Sequence, residues 1–127
     1  MNSYQESFIR YLKYEKRFSS HTVVAYSKDL DQFVNYCTDT KGAFDVHEVD
    51  SKLFRGWIVS LMEEKLSPRS VNRKASTIKA FYRFLMKGQV LQANPANNVT
   101  LPKIRKKLPH FLEENQLHHL LDDGYFD

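Results

Sequence analysis

Up to Gly88 the chain carries a single proline, Pro68; the other three, Pro95, Pro102 and Pro109, all come after residue 94. Proline breaks helices, because it lacks an amide hydrogen and its ring collides with the preceding turn. The whole chain holds only four glycines. A first stretch of almost ninety residues so poor in breakers points to an all-α fold, and the spacing of its apolar residues places the helices.

Four helical segments follow. In the first, residues 3–16, Tyr4, Phe8, Tyr11 and Leu12 form a stripe, with Glu6, Arg10, Lys13 and Lys16 away from it. Phe18-Ser19-Ser20 interrupts, and Ser20 is the expected N-cap of a second helix over 20–38. Val23, Tyr26, Leu30, Phe33, Val34 and Cys37 give that helix a core-facing stripe, so Cys37 reads as a buried small apolar residue. Asp39-Thr40-Lys41-Gly42 ends it. Asp50 caps a third helix over 50–64, with Leu53, Trp57, Ile58 and Leu61 inward. Ser67-Pro68 opens the fourth, a capping serine followed by proline at the first helical position, where the missing N–H costs nothing. Lys87-Gly88 is its expected stop.

The fourth helix concentrates charge. At about 100° per residue, Val71, Ala75, Ile78, Tyr82 and Leu85 share a narrow arc, and Arg69, Arg73, Ser76, Ala80, Arg83 and Lys87 lie opposite. Eleven of the nineteen Lys and Arg residues fall between residues 65 and 107, and no Asp or Glu occurs between Glu64 and Glu113. The remainder of the chain holds eight basic and fifteen acidic residues, so a mild formal charge of +4 conceals two strongly unlike parts. A one-signed field repels itself and lowers stability, which a polyanion such as a phosphate backbone would relieve. A merely solvated face would mix signs.

Other function classes find little support. Cys37 is the only cysteine, which excludes an intrachain disulfide and a cysteine-based zinc site and favours a reducing, cytoplasmic compartment. No apolar run approaches the roughly 20 residues that span a bilayer, and the N-terminus lacks the features of a signal peptide. His118-His119 with Asp122-Asp123 is a weak metal pattern, better read as an exposed helix surface. No Gly-rich phosphate loop and no nucleophile–His–acid pattern occurs, and no cofactor is implied.

Past Gly88 the composition changes. Asn94-Pro95-Ala96-Asn97-Asn98 reads as a turn or one short helical turn. The basic, proline-bracketed run Leu101-Pro102-Lys103-Ile104-Arg105-Lys106-Lys107-Leu108-Pro109 reads as a linker, because proline restricts its predecessor to extended shapes. A short helical piece over 113–121 is too small to bury Leu117, Leu120 and Leu121 unaided. The expected division is therefore a bundle over 1–100, a linker over 101–110 and the start of a second domain over 111–127.

These residues carry a resemblance. Ser20-His21-Thr22-Val23-Val24-Ala25-Tyr26-Ser27-Lys28-Asp29-Leu30 resembles the second-helix signature of the tyrosine recombinase (phage integrase) family. Ser67-Pro68-Arg69-Ser70-Val71-Asn72-Arg73 with Phe81-Tyr82-Arg83-Phe84-Leu85 looks like its fourth helix. Asn94-Pro95-Ala96 and Leu101-Pro102-Lys103 resemble the exit and interdomain linker, and Phe111-Leu112-Glu113-Glu114 the start of the catalytic domain. The likeness covers nearly the whole chain and is nearest the Xer-type branch. It departs at His21, where the family often has Asn, and at Lys79, where it often has Arg.

The resemblance implies a four-helix SAM-like bundle forming one half of a clamp around a double-stranded DNA recombination site. The catalytic half carries an Arg-Lys-His-Arg-His/Trp set and a tyrosine nucleophile. No position here matches that set, and Tyr125 lacks its surrounding motif, so this segment is expected to bind DNA and cut nothing. The full-length protein is expected to act as a tetramer, the segment as a monomer. The second and fourth helices would face the major groove, presenting Lys28, Arg69, Arg73, Lys79 and Arg83. Ser20, Thr22, Ser67, Ser70 and Asn72 cluster at helix starts, which favour phosphates; for Ser20 and Ser67 plain capping is the competing reading. Lys103, Arg105, Lys106 and Lys107 would follow the DNA backbone, or else merely solubilise the linker. Two other classes compete. A helical protein–protein adaptor would show an exposed apolar patch, and a single-strand or RNA binder would show exposed aromatics for stacking.

Overall fold

The computed structural model describes residues 3–103. The helical piece expected at 113–121, Tyr125, the His118-His119 pair and the linker residues Arg105, Lys106 and Lys107 lie outside them. Among the described residues four helices account for the regular structure: α1 Ser3–Tyr14, α2 Ser20–Lys41, α3 Ser51–Glu63 and α4 Pro68–Lys87. No strand occurs among the described residues, and the all-α four-helix bundle is the one the helical spacing predicts.

Helices α2 and α4 form the central pair. Each also packs against α1 and α3, whereas α1 and α3 make no close backbone approach to one another. Two aromatic clusters fill the two sides. On the α1 side, Phe8 meets Phe81 at 5.4 Å and Phe84 at 5.5 Å between ring centroids. On the α3 side, Phe33 meets Trp57 at 5.1 Å and Phe54 at 6.1 Å. Several of these pairs are edge-to-face, the arrangement ring quadrupoles favour. Tyr82 on α4 is fully buried, packs edge-on against Phe81 and donates its hydroxyl to the Val46 carbonyl at 3.3 Å. Burial pushes that hydroxyl's pKa well above the usual tyrosine range. Cys37 is buried as expected, and burial pushes its thiol up to about 12.

The helix starts separate two neighbouring serines. Ser19, not Ser20, caps α2: its backbone is extended and its hydroxyl accepts from the Thr22 amide at 3.2 Å. Ser20 is instead the first helical residue. Asp50 and Ser67 cap α3 and α4 as expected, accepting from Leu53 and Ser70 amides at 2.8 and 3.2 Å. Helix α2 runs past residue 38 to Lys41, because its terminator is Gly42, whose φ of 88° suits a residue without a side chain and whose amide donates to the Thr38 carbonyl.

Helix α4 stops at Lys87 with Gly88 as its C-cap, as expected, but the left-handed position falls one residue later. Gly88 has an ordinary φ of −82°, and the left-handed residue is Gln89 at 61°. The amides of Gln89 and Val90 reach back to the Met86 and Leu85 carbonyls at 3.0 and 2.9 Å, the paired closure of a Schellman motif. Lys65 at φ 66° closes α3 in the same manner, with Lys65 and Leu66 bonded to Met62 and Leu61. In both motifs the next residue, Leu66 or Val90, packs against the core. That contact offsets the strain of a side chain in the left-handed region.

The exit segment folds back onto α4. Asn94 accepts from the Ala96 amide at 2.9 Å and donates to the Lys79 carbonyl at 3.2 Å, which shapes the expected turn. Ala96 and Val99 are buried. The Asn72 amide group donates to the carbonyls of Pro68 and Pro102, both at 2.8 Å, so the chain is still anchored to the bundle at Pro102.

Candidate nucleic-acid interface

Helix α4 presents its basic face because its apolar face is fully consumed. Val71, Ala75, Ile78, Tyr82 and Leu85 are at most 1% exposed, so the residues half a turn away must face solvent. Arg69, Arg73, Ser76, Arg83 and Lys87 are exposed, and Lys79 and Ala80 are half-buried. From Arg69 to Lys87 the face extends about 27 Å at 1.5 Å per residue. Among the described residues, Arg69, Lys79, Arg83 and Lys87 form no ion pair.

An acid does reach this surface, from α2, although α4 itself is acid-free. The Asp29 carboxylate is 2% exposed and accepts four hydrogen bonds. One oxygen takes Arg73 Nη1 at 2.6 Å and Thr77 Oγ1 at 2.9 Å. The other takes Arg73 Nη2 at 3.3 Å and Lys74 Nζ at 3.1 Å. Lys74 also donates to Gln32 Oε1 at 2.6 Å, leaving its own side chain 12% exposed, whereas Arg73 remains 52% exposed. A buried carboxylate needs partners on all its lone pairs, and this one has them.

Arg73 divides the groove between α2 and α4 into two depressions that share Ala25. Toward the start of α2 lie His21, Thr22, Tyr26, Ser76 and Thr77. Toward its middle lie Lys28, Asp31, Gln32 and Lys74. Lys28 and Asp31 are exposed. The structure therefore brings Thr22, Lys28 and Arg73 to one groove, with Arg69 and Arg83 further along the exposed face of α4.

The remaining residues singled out from the sequence have local partners. Thr22 Oγ1 lies 2.9 Å from Ser19 Oγ. Ser67 donates its hydroxyl to Ser70 while capping α4. Both amide hydrogens of Asn72 hold carbonyls, one of them in the exit segment. Ser20 and Lys103 are exposed. Sequence reasoning missed Asp29, Lys74 and Thr77, whose association depends on a contact between residues more than forty positions apart.

The competing classes find less. Tyr26 packs against Phe8 and Phe18, and Phe84 against Phe8 and Tyr11, so these rings are structural. Among the described residues the exposed large apolar side chains are Tyr14, Val24, Val59 and Met62, on three different helices; of these, only Val59 and Met62, three apart on α3, form a pair. Among the described residues no group of three or more His, Cys, Asp or Glu side chains could hold a metal, and no helix is long and apolar enough to cross a membrane.

Comparison with known proteins agrees with the four-helix fold. The sequence profile of the phage integrase N-terminal SAM-like domain matches residues 6–89. The chain is 38% identical over 119 residues to tyrosine recombinase XerC of Oceanobacillus iheyensis and 36% identical over 118 residues to tyrosine recombinase XerC of Pediococcus pentosaceus. These alignments cover 94% and 93% of this chain but 39% of each relative, so the chain spans about two fifths of the length of the curated relatives it matches. Among solved structures, the integrase-like domain from Bacillus cereus superposes with a TM-score of 0.59 at 20% identity, covering 87% of this chain and 91% of that domain.

Proposed function

The chain belongs to the family of phage integrase N-terminal SAM-like domains, and from that premise we propose that it binds duplex DNA as the non-catalytic half of a recombinase clamp. The observation that carries this reading is the exposed face of α4, where Arg69, Arg83 and Lys87 stand without an ion pair among the described residues. The major groove of B-DNA, about 12 Å wide, admits an α-helix. Unpaired cations at its edge would release condensed counterions from the phosphates. Arginine can also bond O6 and N7 of one guanine together, so Arg69 and Arg83 are the candidates for base readout, and Lys79 and Lys103 for positioning. Lys103 would lead the linker basics Arg105, Lys106 and Lys107 along the DNA backbone. Strand cleavage and rejoining would belong to the rest of a longer protein, acting as a tetramer on paired sites.

The test is fluorescence anisotropy of a labelled duplex across a salt series, comparing the wild type with Arg69→Glu/Arg83→Glu. With two cations removed from the duplex surface and replaced by acids, the double variant should flatten the log–log salt slope and weaken binding more than tenfold. Absence of duplex binding at low salt, or equal affinity of the two proteins, would sink the reading.

A further inference from the structure

Building on the DNA-binding reading above, we propose that Asp29 is a positioning residue for Arg73, holding its guanidinium across the α2–α4 groove in the orientation that meets a DNA phosphate. A free arginine on a helix surface samples many rotamers, and ordering it on contact costs conformational entropy. Here the two nitrogens of the guanidinium fork each donate to Asp29. An arginine has five N–H donors in one plane, so three remain for a ligand. With the side chain 52% exposed and the carboxylate 2% exposed, the acid lies on the protein side of the arginine. Thr77 and Lys74 occupy the other lone pairs and fix the carboxylate in turn. One negative charge against Arg73 and Lys74 leaves the cluster at +1, so it still attracts an anion.

A purely structural tie between α2 and α4 makes a different prediction. Asp29→Asn removes a negative charge beneath the interface at almost no change in shape. If the pair only joins the helices, the folded variant should bind DNA as well as the wild type or more tightly, because the repulsion is gone. If Asp29 positions Arg73, binding should weaken in spite of the extra positive charge.

The experiment measures duplex affinity and salt slope for the wild type, Asp29→Asn, Arg73→Gln and the double variant, with circular dichroism confirming the folded fraction. Asp29→Asn is expected to weaken binding by about tenfold, as for one lost charge-assisted contact. It should flatten the salt slope by about 0.9. The double variant should bind no worse than Arg73→Gln alone, the signature of two residues acting through one contact. Thr77→Val keeps every charge and the side-chain shape while removing one bond to Asp29; it provides the test if Asp29→Asn fails to fold, with an expected loss of about threefold. Unchanged or tighter binding by folded Asp29→Asn, or by Thr77→Val, overturns the proposal while leaving DNA binding intact. A wild type that does not bind duplex overturns both.

Discussion

Helix α2 lines two grooves of opposite character. Toward α4 it meets Arg73 and Lys74 and adds Lys28, and of the two acids there Asp29 is buried under four donors while Asp31 is exposed. Toward α3 the groove is lined by Gln32, Asn35, Tyr36, Asp39, Trp57, Ser60, Leu61 and Glu64, with two exposed carboxylates and no basic residue. Gln32 belongs to both. The core that α2 and α4 share is built from aromatic residues on both its sides, Phe8 with Phe81 toward α1 and Phe33 with Trp57 toward α3. The two sides therefore share their source of stability and differ in what they show to solvent. On the basic side the Asp29 charge is consumed internally by its four donors, and Asp31 is left as the one exposed acid among Lys28, Arg73 and Lys74; on the other side both carboxylates are exposed in a groove that no basic residue lines.

The comparison breaks most visibly in the core below the α3 groove. Trp57 is 2% exposed and packs against Phe33 and Phe54. Trp57→Ala should lower unfolding free energy by about 3–5 kcal/mol in chemical denaturation. The duplex affinity of the molecules that remain folded should not change. A Trp57→Ala protein that stays folded but loses DNA binding would show that the α3 side takes part in the interface.

The contrast between the two grooves was only half legible in the sequence. Apolar spacing placed all four helices, and Ser67-Pro68 and Asp50 marked two starts correctly, because capping is a local event read within four residues. The exposed face of α4 was legible for the same reason: one helix wheel contains it. The carboxylate under Arg73 was not. Asp29 precedes Leu30 on a helix whose stripe says nothing about its partner, and the partner lies 44 residues away. Ser20 was the expected cap of α2, and only backbone geometry moves that role to the adjacent Ser19. Gly88 marked the stop of α4 correctly, but Gln89 carried no signal for a positive φ, since a long polar side chain is usually neutral on that point. The role of Asn72 in holding the exit segment needs Pro102 to have folded back, which spacing within α4 cannot reveal.

A smaller effect sharpens the separation of stability from surface charge. Gln89 terminates the basic helix in a left-handed conformation that costs an L-residue about 1–2 kcal/mol. Glycine removes that strain but gains unfolded-state entropy. Gln89→Gly should therefore stabilise the bundle by about 0.5–1 kcal/mol, read as a higher denaturation midpoint with an unchanged slope. Because the substitution alters no charge, duplex affinity and its salt dependence should remain those of the wild type. Destabilisation would mean that the Gln89 side chain makes a contribution larger than the backbone strain.

The smallest expected effect is the most exacting for the comparison. Asp39→Lys with Glu64→Lys reverses two exposed acids in the α3 groove and raises the formal net charge from +4 to +8. If DNA binding followed net charge, this variant should bind much more tightly than the wild type and with a steeper salt slope. The geometry argues otherwise. The new lysines would lie across α2 from the α4 groove, and a helix with its side chains is about 10–12 Å in diameter. The Debye length at physiological ionic strength is about 8 Å, so charges on the far side are largely screened from a duplex seated at α4. Affinity at about 0.15 M salt should shift by less than twofold, and stability by no more than about 0.5 kcal/mol, as for ordinary surface substitutions. Tighter binding by tenfold or more would mean that position matters less than total charge, and that the distinction between the two grooves does not govern recognition. An unchanged slope, set beside a slope flattened by reversing Arg69 and Arg83, would locate binding on one face of a bundle whose average charge does not disclose it.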